Sequence, residues 1–121
     1  MNLKAFIFVG LLSLAFPAIA HDAKGPNGGR MTDAGNYHVE LVTKQNDMEV
    51  FISDSKEKPV ASTGFKGLAV LVVEGKPVRV PLEPSGSDRL KGSAGLPIPV
   101  NVKGVIQLTA QDGKTAQAKF E

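Results

Sequence analysis

Cysteine is missing from the 121 residues altogether, and so is tryptophan. Without cysteine there can be no disulfide, no thiolate metal site and no thiol nucleophile. Aromatic residues are sparse, and three of the six Phe (Phe6, Phe8 and Phe16) fall within the first twenty positions. Beyond them only Tyr37, Phe51, Phe65 and Phe120 remain, so Val, Leu and Ile must fill any core. An excess of one charge is missing too. The chain has 14 Lys and Arg against 12 Asp and Glu, a formal net charge of +2, interspersed with no basic stripe along the sequence. Nucleic acid is therefore not an expected partner. No apolar run reaches the roughly 20 residues that a membrane-spanning helix requires. Also lacking are a nucleophile elbow, a Gly-rich phosphate loop opening a helix, and a carboxylate pair in a setting that tunes pKa values. The expectation is a protein that is not an enzyme.

What is present begins with an export signal. Lys4 precedes the apolar run from Ala5 to Phe16, Pro17 breaks it, and Ala18-Ile19-Ala20 supplies the small-x-small pattern of a signal-peptidase site. The reading is a signal peptide over 1–20, removed so that His21 becomes the first residue of a periplasmic protein without a membrane span. One domain is expected, with a Gly-rich arm over 21–35 and a folded body over 36–121.

The body reads as strands throughout. Tyr37, Val39 and Leu41 alternate with His38, Glu40 and Val42, and Gln45-Asn46-Asp47 is turn chemistry before Met48–Ile52, which together predict a hairpin. The apolar stretch from Leu68 to Val73 predicts a strand covered on both faces. Pro77 and Pro81 mark the segment from Lys76 to Leu82 as an edge strand, and Arg89 to Gly92 is a short strand. Leu96-Pro97-Ile98-Pro99-Val100 predicts an extended connection. A last hairpin joins 104–110 to 115–120 around Asp112-Gly113, read as a two-residue loop. Seven or eight short strands without a helical stripe predict an all-β fold. The expected form is a single small antiparallel β-sandwich, Ig-like in outline.

Two histidines carry the chemistry. Once processed, His21 offers an α-amine beside its imidazole, and these two nitrogens can chelate one metal ion. His38, in phase with Glu40 and off the apolar face of its strand, would add a third nitrogen. Such a set suits copper first, with zinc or nickel as alternatives. Asp22, Met31 and Glu40 are accessory candidates. Because the amine and imidazole must be deprotonated to bind, affinity would fall on acidification. The plain alternative is a pair of solvated histidines. A copper-bound N-terminal histidine can also support oxidative chemistry, but Tyr37, the only Tyr, is expected on the buried face of its strand rather than beside the metal. A separate functional alternative is a non-metal interaction module that docks partners along a sheet edge.

Gly25-Pro26-Asn27-Gly28-Gly29-Arg30, followed by Asp33-Ala34-Gly35-Asn36-Tyr37-His38-Val39-Glu40-Leu41, resembles the N-terminal periplasmic region of heavy-metal efflux adaptors of the resistance-nodulation-division class and related small exported proteins. Those adaptors often pair a G-P-x-G-G-R element with a G-D-aromatic-x-V-E-L strand. Here Asn36 stands where Asp is common. The chain is too short to hold an adaptor's long α-hairpin and lipoyl-type domain. The resemblance implies a free-standing module that binds a metal cation or docks near an envelope efflux component, as a carrier, buffer or accessory of metal resistance.

Overall fold

The computed structural model describes residues 23–121, so the expected signal peptide, His21 and Asp22 lie outside the described residues. Nine strands follow in chain order: β1 (Ala23–Lys24), β2 (Arg30–Ala34), β3 (Tyr37–Lys44), β4 (Asp47–Ser53), β5 (Lys66–Val73), β6 (Lys76–Ser85), β7 (Arg89–Ser93), β8 (Lys103–Thr109) and β9 (Thr115–Phe120). All pairings are antiparallel, and there is no helix among the described residues. The all-β expectation holds. The expected division into two sheets does not appear in the pairing: the strands form one curled, half-barrel sheet in the order β1-β2-β3-β4-β7-β6-β5-β8-β9.

The reason lies in β6, whose first part pairs with β5 (Lys76–Leu82) and whose last part pairs with β7 (Glu83–Ser85). It is thus joined on one side at a time, and its open side is where Pro77 and Pro81 can sit without costing a ladder bond. The edge character expected from these prolines is met locally, although β6 lies inside the sheet. At the crossing point its neighbours are glycines. A Cβ on Gly92 would collide with the Pro81 carbonyl, and one on Gly67 would press on Leu82.

Val39 and Leu41, Met48, Val50 and Ile52, Ala69 and Leu71, Val80 and Leu82, Ile106 and Leu108, and Ala118 and Phe120 alternate onto the inner side and form the core. This is the period-2 burial that the sequence carries. Tyr37, half-buried, meets Phe65 edge-on with ring centroids 5.6 Å apart. The curl brings β2 alongside β9, and Arg30 spans the seam. Its guanidinium donates to the carbonyls of Val102 and Glu121 and lies 5.4 Å from the centroid of the Phe120 ring.

Three loops share one design. In 25–29, Gly28 N–H donates to the Gly25 carbonyl and Gly25 N–H to the Gly29 carbonyl, with Gly28 at φ 80°. The same pair of bonds closes 54–58 with Glu57 at φ 63°, and 110–114 with Gly113 at φ 84°. These are three-residue hairpin loops ending in a left-handed residue. The Asp112-Gly113 bend is therefore one residue longer than the two-residue loop expected, because Gly113 takes the left-handed position after a turn that begins at Gln111.

Candidate functional site

The described candidates, Met31, His38 and Glu40, lie on the outer side of β2 and β3. The β2–β3 hairpin turns at Gly35-Asn36, with Gly35 at φ 57°, and this sets Asp33 directly opposite His38. The His38 Nδ1 lies 2.7 Å from Asp33 Oδ1, with the imidazole side chain 28% exposed and the carboxylate 75% exposed. An ionised Asp33 can only accept, so Nδ1 carries the proton and donates, which leaves the lone pair on Nε2. A carboxylate holding one ring nitrogen so that the other is presented in a fixed orientation is the usual support of a metal-binding imidazole. Asp33 was not among the residues singled out from the sequence. Its signal was nonetheless present: it stands five residues before His38, symmetrically across a Gly-Asn turn between two alternating segments.

Glu40 and Met31 occupy the next row on the same side, since Met31 pairs with Glu40 and Glu40 with Phe51. Glu40 is almost wholly buried, although it points away from the core. The loop over 25–29 folds across it. Its Oε2 accepts from the backbone N–H of Asn27 (2.9 Å) and Gly29 (2.8 Å), and its Oε1 accepts from Asn27 Nδ2 (2.8 Å). Gly25 and Gly29 permit this closure: a Cβ on Gly25 would overlap the Glu40 carboxylate, and one on Gly29 would overlap the Leu41 carbonyl. The G-P-N-G-G-R element is thus a lid built around one carboxylate. Both Glu40 oxygens are engaged in that work, so among the accessory candidates Glu40 has the weakest claim to a metal.

Met31 is half-buried and borders a shallow groove of about 790 Å³ that is also lined by Pro26, Phe51 and Pro59. Neither Asp33 nor His38 lines it. Beyond Phe51, the Arg89 guanidinium lies 4.7 Å from the Phe51 centroid and pairs with Glu49 (3.0 Å) and Asp88 (3.0 Å). The Arg89 guanidinium beside Asp88 holds that carboxyl below the usual value, and Asp88 in turn raises Arg89. Lys44 reaches Glu49 from the other side at 3.2 Å.

The structure thus brings His38 to Asp33, gives Glu40 to the loop, and leaves Met31 one row away. Among the described residues no three His, Cys, Asp or Glu side chains come together in a group able to hold a metal ion. His21 and Asp22, the other expected ligands, lie outside the described residues. Comparison with known proteins finds no family model, no curated protein and no solved structure that matches this chain.

Proposed function

We propose that the protein is a small periplasmic metal-binding protein, copper preferred, with zinc or nickel as alternatives, acting as a carrier, buffer or accessory of metal efflux. The ligands are the α-amine and imidazole of His21 and the Nε2 of His38, with Asp33 as the group that fixes the His38 ring. The observation that carries the reading is the 2.7 Å contact between Asp33 and His38 Nδ1, which reserves the outer ring nitrogen for a ligand. The start of the described residues lies beside the same strand: Ala23 pairs with Met31 and Lys24 with Arg30 on β2, which also carries Asp33. Three nitrogens around one ion form a set that copper favours over the other divalent metals.

The test is a Cu(II) titration of protein beginning at His21, followed calorimetrically and by electron paramagnetic resonance. His38→Ala, and a form extended by one residue before His21, each lose nitrogen ligation and bind at least tenfold more weakly. Asp33→Asn keeps all ligands and weakens binding by about 10- to 100-fold through the loosened ring. Unchanged affinity in both His38→Ala and the extended form refutes the proposal.

A further inference from the structure

The run from Leu68 to Val73 reads as a strand covered on both faces, as continuous apolar strands usually are. Only one face is fully covered. Ala69, Leu71 and Val73 enter the core, whereas Leu68, Val70 and Val72 point to the outside of the curl, Leu68 and Val70 half-buried and Val72 51% exposed. No strand or loop among the described residues is paired over them.

Their cross-strand neighbours are informative. Val70 pairs with Arg79 on β6 and with Val105 on β8, and Val105 pairs with Lys119 on β9. Val72 pairs with Lys103, and Lys66 stands two residues before Leu68 on the same side. Four cations drawn from positions 66, 79, 103 and 119 therefore surround one aliphatic stripe. They are far apart in sequence, so no basic segment announces them. The ion pairs among the described residues involve His38, Lys44, Arg89 and Lys114, and none of the four takes part in one. On the opposite half of the sheet, by contrast, Lys44 and Arg89 are both neutralised by Glu49. Against these four cations two carboxylates stand at the margin: Glu83 opposite Lys91, and Glu121 two residues beyond Lys119.

We propose that this outer face of β5, β6, β8 and β9 docks on an anionic phospholipid surface. Charge complementarity selects the occupant: the face is cationic, unpaired and centred on aliphatic side chains. Protein–protein hot spots are enriched in Trp, Tyr and Arg; the outward rows hold no aromatic side chain, and Arg79 is their one guanidinium. A bilayer needs no such anchor. Each Lys or Arg near an anionic leaflet contributes independently, and the apolar stems of such side chains are compatible with the aliphatic centre of the face. The contact is peripheral and reversible, and it leaves the His38 side of the sheet facing solvent.

The experiment is co-sedimentation of the protein with vesicles of phosphatidylglycerol and phosphatidylcholine in equal parts, and with phosphatidylcholine alone, at low and high salt. Binding to the mixed vesicles, absent from the neutral ones and abolished by salt, is expected. Each removed charge lowers partitioning about fivefold, so Lys103→Gln with Lys119→Gln reduces it about 25-fold. A second pair, Lys66→Gln with Arg79→Gln, repeats the measurement independently of how the first pair folds. Lys56→Gln with Lys58→Gln, on the 54–58 loop, leaves partitioning unchanged. Absence of binding to the mixed vesicles overturns the proposal, as does equal loss in the loop pair. Binding to duplex DNA as tight as to the vesicles also overturns it, because the face would then be a general polyanion site.

Discussion

Removing the Glu40 carboxylate is the sharpest test of how the Gly-rich loop is held. Its two oxygens serve three donors, two of them backbone N–H groups with no other partner in the loop. Hydrogen bonds to a charged acceptor contribute roughly 1.5–3 kcal/mol each when fully enclosed. Asn27 is exposed and Gly29 half-exposed, so water replaces part of what Glu40→Ala removes. The loss is then about 3–4 kcal/mol, which for a domain near 100 residues lowers Tm by roughly 15–25 °C. Glu40→Gln is milder. Its one oxygen can face the backbone donors while its NH2 meets the Asn27 side chain turned over, so only the charged part of the bonding disappears, about 1–2 kcal/mol. Asn27→Asp supplies the complementary perturbation. It sets a second carboxylate against the first and costs about 2 kcal/mol, yet in the Glu40→Gln background it meets a donor and the cost vanishes. Urea unfolding of the wild type, the three single variants and the double variant, with hydrogen exchange at Gly29, measures the cycle and the Glu40→Ala loss. A loss under about 1 kcal/mol for Glu40→Ala, or an Asn27→Asp penalty equal in both backgrounds, refutes the reasoning.

Two further outcomes follow from the same geometry. Arg30→Met keeps the stem but loses the bonds to the Val102 and Glu121 carbonyls and the stacking on Phe120. It should destabilise by about 2–3 kcal/mol and speed amide exchange in β9 before β4, and exchange that rises uniformly would show that the seam is not held there. Asp54 accepts from the backbone N–H groups of Lys58 and Lys56, which hold its carboxyl below the ordinary value of 3.8. A lowered folded-state value stabilises above the unfolded value and is lost as pH falls through the folded one. The wild-type urea midpoint therefore declines below about pH 4 more steeply than that of Asp54→Asn, and parallel acid limbs would contradict this.

Local chemistry was legible in the sequence. The β3–β4 hairpin, the β8–β9 hairpin and the short β7 strand stand where alternation and turn residues put them, and the Pro-rich stretch between β7 and β8 forms no strand. Alternation also placed Glu40 off the apolar side correctly. It could not reveal that a loop centred thirteen residues earlier would bury that carboxylate, because burial there comes from the loop's closure and not from strand period. The same limit applies to the sheet's single curl, since a strand that changes partners at Leu82–Glu83 carries no signal beyond its prolines and the glycines on its neighbours. Asp33 was readable in principle, as one half of a symmetric pair around Gly35-Asn36. The cationic outer face was not, because its members meet only through the β6-β5-β8-β9 order.

The Arg30 seam has a consequence for how the chain acquires its shape. Its bond to Glu121 links positions separated by 91 residues. A polypeptide threading out amino-terminus first would expose β2 to β8 with their aliphatic sides uncovered until β9 arrives. Long-range pairing of this kind is slow, in the millisecond-to-second range, and vulnerable to aggregation while it lasts. Closure of the curl therefore requires β9, the last of the described strands, to pair with β8 and meet β2.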